Sequence, residues 1–92
     1  MKAKFSPLVQ QEIIKLRQKD KKLVVRIEKQ IQLFEETPKH PSLRTHKLSG
    51  KLQEIWSISI TIHIRMVYVL LDENTALFIK IGTHDQVYRR RN

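Results

Sequence analysis

The chain has 92 residues, with 18 Lys and Arg against 9 Asp and Glu, for a formal net charge of +9. That length allows one domain with a modest core, expected over residues 1–92, and no second one. The charge excludes indifference to polyanions: nucleic acid is the first candidate partner, ahead of an acidic protein or an anionic membrane. The absence of cysteine excludes a disulfide framework and a thiolate metal site, and fits a reducing cytoplasm. Met1-Lys2-Ala3-Lys4-Phe5-Ser6-Pro7 contains no apolar h-region, so no signal peptide is expected.

In chain order, Phe5 and its neighbours add a short first strand. Ser6 can cap a helix whose first position is Pro7, where the missing N–H costs nothing. Val9, Ile13 and Leu16 recur on one face of it. Asp20 can cap a second helix, with Leu23, Val24, Ile27, Ile31 and Phe34 at helical spacing. The intervening Lys and Arg residues take the solvent faces, and the short connection makes an antiparallel αα-hairpin. Pro38 and Pro41 end the helical zone. The segment to Thr45 reads as loop, with His40 structural or idle.

From His46 the chain reads as β. Trp56, Ile58, Ile60 and Ile62 alternate with Ser57, Ser59, Thr61 and His63, the pattern of a half-buried strand. The region Ile55 to Leu71 is too often interrupted by polar residues to be a membrane span. It is also too long for one strand, so a turn is expected near Thr61 to Ile64, although no Gly, Pro or Asn marks it. Met66 to Leu71 is more continuously apolar. Asp72-Glu73-Asn74-Thr75 is a hairpin turn before a last strand, Ala76 to Ile81. Trp56 and Tyr68 read as core. The expected fold is α+β, in the order β-α-α-β-β-β: a small antiparallel sheet with the N-terminal αα-hairpin packed on one face. Ile27, Ile31, Trp56 or Ile58, and Leu70 should share one core.

Lys80 to Tyr88, Lys-Ile-Gly-Thr-His-Asp-Gln-Val-Tyr, places a cation, an imidazole, a carboxylate and a phenol where the last strand ends and the chain is expected to turn at Gly82. A rigid strand end with an exposed exit suits groups that must be still yet accessible. His, Asp and Glu show no tight ligand spacing, so neither a metal site nor a cofactor is expected.

Four blocks carry a resemblance: His46-Lys47-Leu48-Ser49-Gly50, Trp56-Ser57-Ile58, Arg65-Met66-Val67-Tyr68, and Ile81-Gly82-Thr83-His84-Asp85-Gln86-Val87-Tyr88. In this order and spacing they resemble the RelE/ParE superfamily of toxin–antitoxin toxins, its YafQ-like branch above all. The resemblance implies a metal-independent mRNA endonuclease acting on the ribosome, partnered by a cognate antitoxin, with no membrane. It makes His46 the family's loop histidine and His84 the proton donor of a Gly-Thr-His motif. Tyr88 takes the aromatic position that follows, Lys80 a basic position before the glycine, and Arg65 the phosphate-binding arginine. The chain departs from the pattern at Ser59, where some YafQ-like enzymes have a further histidine, and at His63, where an acidic residue often stands.

Metal-free RNA cleavage uses the ribose 2′-OH as nucleophile and needs a base, an acid for the departing 5′-oxygen, and cations for the charge on phosphorus. Two imidazoles, titrating near neutrality, can supply base and acid; arginine offers phosphate a planar fork. The expected catalytic set is His84 as acid, His46 as base with His63 as the alternative, Arg65 and Tyr88. Lys80, Lys47, Lys51, Asp85 and Arg89 are expected at the RNA-binding surface, the lysines 47 and 51 and Arg89 as diffuse phosphate attraction. Two alternatives remain open: a ParE-like gyrase poison using the same fold, and a non-catalytic relative that binds RNA or antitoxin.

Overall fold

A computed structural model describes residues 1–49 and 54–88. Two expected phosphate-attracting residues, Lys51 and Arg89, lie outside the described residues. Ser6 and Asp20 cap the helices as expected. Ser6 Oγ accepts the Val9 N–H at 3.2 Å and opens α1 (Pro7–Lys19). Asp20 closes α1 through its own N–H to the Leu16 carbonyl, 2.7 Å, and opens α2 (Lys21–Glu36) by accepting the Leu23 N–H at 3.1 Å. One residue therefore makes both caps, and the hairpin is tight. After α2, the His40 Nδ1 accepts the Ser42 N–H at 3.1 Å and caps a 3₁₀ turn, Pro41–Leu43, whose Leu43 is fully buried.

Five strands follow the order β1 (Lys2–Phe5), β5 (Thr75–Thr83), β4 (Ile64–Asp72), β3 (Ile55–Ser59), β2 (His46–Ser49) across one sheet. The α+β architecture with a helical hairpin on one face is as expected. The sheet is mixed rather than wholly antiparallel, because β1 pairs parallel to β5. It also carries one more strand than expected, the edge strand β2, and ends in a short helix, α3 (His84–Tyr88).

The unmarked turn falls where it was expected. Thr61 Oγ1 accepts the N–H groups of His63 and Ile64 at 3.1 and 3.0 Å, so a threonine hydroxyl does the work of a turn residue. From α2, Arg26 Nε and Gln30 Nε2 donate to the carbonyls of Ile60 and Ser59, each at 2.9 Å, and anchor the end of β3. At the other hairpin Asp72 accepts the Asn74 N–H at 2.8 Å, and this bond leads in holding the Asp72 carboxyl below the ordinary carboxylate value.

The core lies between the helical hairpin and one sheet face: Val9, Ile27, Ile31, Phe34, Leu43, Ile58, Ile60, Met66, Tyr68, Ala76 and Phe78. Of the two tryptophan and isoleucine alternatives, Ile58 is fully buried and Trp56 packs at the margin. Leu70 corrects the expectation: it is 36% exposed, because the last residues of β4 run past the cover of the helices.

Phe34, Tyr68 and Phe78 form the centre of the core, Phe34 edge-on to the other two at 5.0 and 5.2 Å. Burial pushes the Tyr68 phenol up from 10.0 to about 12. The folded protein therefore favours the neutral phenol. Stability is unaffected below the unfolded value, and is lost as pH rises from there through the folded value, by up to about 3 kcal/mol. Urea unfolding of Tyr68→Phe against the parent should show a smaller alkaline loss in the variant. Equal losses would mean that Tyr68 ionises without strain.

Candidate active site

The opposite sheet face carries the candidate site. His46 pairs with Ser57, Ser57 with Val67 and Val67 with Lys80; Ser59 pairs with Arg65 and Arg65 with Gly82. Paired residues share a face, so His46, Ser57, Ser59, Arg65, Val67, Lys80 and Gly82 lie together. A bulge allows this. Tyr68 pairs with Phe78 but Val67 with Lys80, which leaves Ile79 as an extra residue and shifts the alternation of β5. Without it, Phe78 in the core would put Lys80 and Gly82 in the core as well.

α3 lies against β4 and β5 on this face, with Val87 buried. The turn expected at Gly82 is absent: the chain runs on in β5 to Thr83 and enters α3 directly. The Thr83 Oγ1 accepts the Gln86 N–H at 3.2 Å, and the Gln86 Oε1 accepts the Thr83 N–H at 2.8 Å. This is a reciprocal capping box, and Thr83-His84-Asp85-Gln86 carries its sequence pattern.

Arg65 is 8% exposed and makes four hydrogen bonds. Nε and Nη2 donate to Ser57 Oγ at 3.1 and 2.9 Å, Nη1 to Ser59 Oγ at 2.6 Å, and Nη2 to the Arg44 carbonyl at 2.8 Å. Every acceptor is neutral. Among the described residues no carboxylate pairs with it; the ion pairs there are Arg17–Glu28, Lys47–Glu54 and His84–Asp85. A buried cation without a counter-ion is costly unless an anion arrives. Arg44 presents its carbonyl from a left-handed backbone, φ 46° and ψ 50°.

Beside Arg65 opens a shallow cleft lined by Arg44, His46, Arg65, His84 and Tyr88. The Tyr88 ring stands at its centre. His84 meets that ring edge-on at 4.0 Å and His46 at 5.7 Å, with the Arg65 guanidinium 5.7 Å from the ring centre. The Tyr88 hydroxyl is 3.0 Å from Ser57 Oγ. Two imidazoles, a buried guanidinium and a phenol therefore share one concave surface, which can hold an anion between a proton donor and a proton acceptor.

Four of the five expected catalytic residues converge: His46, Arg65, His84 and Tyr88. His46 sits on the edge strand β2 rather than in a loop. His63 does not join them; it is exposed on the β3–β4 turn and lines no part of the cleft. Lys80 donates to the Gln86 carbonyl at 2.9 Å, so it ties α3 to β5 and does not line the cleft. Lys47 is 3.5 Å from Glu54 and stands over Trp56, on the other face from its neighbour His46. Asp85 is fully exposed, with its carboxylate 3.7 Å from His84 Nδ1. Sequence reasoning missed Arg44, Ser57 and Ser59. From the residues alone the serines were legible as the polar half of an alternating strand, and the resemblance marked Ser59 only as a departure from a histidine. Their role needs the register of β3 on β4. Among the described residues no three His, Asp or Glu side chains cluster as metal ligands, and no helix is long and apolar enough to cross a membrane.

A helical hairpin on a five-stranded mixed sheet is the fold of RelE-like toxins. The family described as ParE toxin of type II toxin-antitoxin system, parDE, matches residues 3–88. The chain belongs to that family, and so to the RelE/ParE toxins of type II toxin–antitoxin systems. A YoeB/ParE toxin from Agrobacterium tumefaciens has the same fold, with TM-score 0.74 and 24% identity over 91% of this chain and 99% of that one. The YoeB-YefM complex from Staphylococcus aureus gives 0.72 and 22%, over 91% and 97%. The DinJ-YafQ complex of E. coli gives 0.73 and 14%, over 94% and 96%. No curated protein matches the chain.

Gly82 is where the capping box can be tested. A Cβ there would lie 2.6 Å from Gln86 Oε1 and 3.1 Å from Gln86 Cβ. Gly82→Ala should therefore push Gln86 off the Thr83 N–H and cost about 1 kcal/mol of local stability. The Thr83 amide should exchange with solvent about fivefold faster, while the β3–β4 ladder keeps its protection. Unchanged exchange at Thr83 would show that the cap does not hold α3.

Proposed function

We propose that this toxin is an endoribonuclease that cleaves mRNA without a metal ion, by attack of the ribose 2′-OH on the adjacent phosphate. The products carry 2′,3′-cyclic phosphate and 5′-hydroxyl ends. One observation carries the reading: Arg65, buried and held among the described residues by neutral acceptors, opens onto a cleft that also holds two imidazoles. An anion placed there supplies the counter-charge that no described residue provides.

In this reading the scissile phosphate lies against Arg65 and Arg44. His46 takes the 2′-OH proton, and His84 returns one to the departing 5′-oxygen. Each imidazole ends the turnover in the other's starting protonation state, and water outside the cleft resets the pair. Arg65 stabilises the extra charge on the phosphoryl oxygens without having to move, because Ser57, Ser59 and the Arg44 carbonyl already hold it. The resemblance to the RelE and YafQ branch supports mRNA as substrate, taken on the ribosome. The YoeB-YefM and DinJ-YafQ neighbours are toxin–antitoxin complexes. They support a cognate antitoxin here, whose acidic segments would compete with RNA for a chain of charge +9.

A second reading rests on the ParE family match. A ParE-like gyrase poison would use the fold without acid–base chemistry, and the cleft residues would serve only the antitoxin or nothing. End-group analysis decides between them. The purified toxin, with and without ribosomes and in the presence of EDTA, should yield cyclic-phosphate and 5′-hydroxyl ends. His84→Ala and His46→Ala should each slow cleavage by about a hundredfold or more, with the fold and RNA affinity retained. Wild-type rates in both would sink the acid–base scheme, and supercoiling inhibition without RNA cleavage would favour the gyrase reading.

RNA affinity should also fall steeply with salt. Arg44→Ala should lower the log–log slope by about 0.7, the release from one single-strand phosphate. A slope unchanged by Arg44→Ala would remove that residue from the phosphate path.

A further inference from the structure

Ser57 is fully buried beneath the cleft and touches both Arg65 and Tyr88. We propose that Ser57 fixes the direction of the Tyr88 hydroxyl, so that Tyr88 donates its proton into the cleft as a hydrogen bond to the reacting phosphate and cannot serve as the base. The argument is one of valence. A serine hydroxyl has one proton and two lone pairs. Ser57 Oγ receives Arg65 Nε–H at 3.1 Å and Nη2–H at 2.9 Å, which occupies both lone pairs. Its own proton goes to its one remaining partner among the described residues, Tyr88 Oη at 3.0 Å. Tyr88 therefore accepts from Ser57.

The phenolic proton lies in the plane of the ring and has two stable positions. Ser57 holds one of them, so the Tyr88 proton takes the other, away from Ser57. No second protein partner for Tyr88 Oη is present among the described residues, and the ring lines the cleft with Arg44, His46, Arg65 and His84. The order Arg65 to Ser57 to Tyr88 runs one way. The guanidinium charge polarises the serine, and the serine polarises the phenol, which sharpens it as a donor. A donor aimed where charge develops contributes most in the transition state. Tyr88 thus stabilises the phosphoryl oxygen, while His46 and His84 keep the proton transfers. Ser57 meets no substrate; it is a positioning residue that acts through Tyr88.

This inference rests on the endoribonuclease reading, and a mutant cycle separates the two. RNA cleavage is followed for the wild type, Ser57→Ala, Tyr88→Phe, the double variant and Ser59→Ala, with binding measured on a 2′-deoxy RNA that cannot react. Ser57→Ala and Tyr88→Phe should each lower kcat by about a hundredfold, with KM and 2′-deoxy RNA affinity changed by less than about twofold. On the Tyr88→Phe background Ser57→Ala should cost much less than it does in the wild type, because only the hold on Arg65 is then left to lose. Ser57→Thr keeps the hydroxyl and should recover most of the rate. Ser59→Ala touches Arg65 but not Tyr88, so its loss should persist in full on the Tyr88→Phe background.

If the Ser57→Ala loss also persists in full on that background, Ser57 merely anchors Arg65 and the proposal fails. Tyr88→Phe at the wild-type rate overturns it alone, whatever Ser57→Ala does to folding. A wild type that cleaves no RNA removes the endoribonuclease reading and this inference with it. A cleaving wild type with an additive cycle removes only the inference.

Discussion

The buried guanidinium of Arg65 is the constraint around which the far face of the sheet is organised. A planar fork near the start of β4 needs acceptors in fixed directions, and the structure draws them from three places: β3 twice, and the backbone after the 3₁₀ turn. Each supplier has its own reason to stay put. Ser57 and Ser59 are held by antiparallel pairing of β3 with β4. The Arg44 carbonyl is aimed by a left-handed residue that Leu43, fully buried beside it, ties to the core. A non-glycine residue at positive φ costs of order 1 kcal/mol. Here that cost is matched to an identifiable contact.

The rest of the molecule keeps that cation in place without covering it. The helical hairpin fills one face with Phe34, Ile27 and Ile31 and leaves the other to α3. The bulge at Ile79 rotates the end of β5, so that Gly82 rather than a side chain passes behind Arg65. Lys80, turned to the same face, is spent on the Gln86 carbonyl. α3 is only five residues long and could not persist alone. It is held by the capping box at its start, the Lys80 bond near its end and Val87 beneath. Those three contacts position His84 and Tyr88, and none of them is part of the chemistry.

Much of this was legible in the sequence where the signal is local. Ser6, Pro7 and Asp20 announce both helix starts, and the apolar spacing gives the face that α1 and α2 bury. The shift to alternation after His46 announces the sheet. What escaped is what depends on pairing. The parallel placement of β1 beside β5 leaves no mark in either segment. Leu70 is as apolar as its neighbours, and only the reach of the helices leaves it exposed. Lys80 looked like a phosphate ligand because a lysine two residues before a glycine and four before a histidine carries no sign that a carbonyl six residues on will claim it. The capping box was in plain view at Thr83 and Gln86. The expectation of a turn at Gly82 concealed it.

The same distinction between local and paired features bears on what the cleft is for. A chain that needed only to attract an acidic antitoxin would be served by exposed lysine and arginine, which remain hydrated and cost little. Taking a guanidinium out of water with no carboxylate beside it among the described residues costs several kcal/mol, a cost that an apolar residue at position 65 would not carry. That cost is not required by the packing of the sheet, because the ties Arg65 makes from β4 to β3 and to the backbone after the 3₁₀ turn could be made by neutral side chains. It brings a cation that cannot rearrange, oriented by neutral groups that do not quench its charge, beside two imidazoles that share one aromatic ring. Preorganised charge of that kind stabilises a transition state more than a ground state. The arrangement therefore argues for phosphate chemistry over simple docking, on grounds that belong to this chain's own residues and do not depend on its relatives.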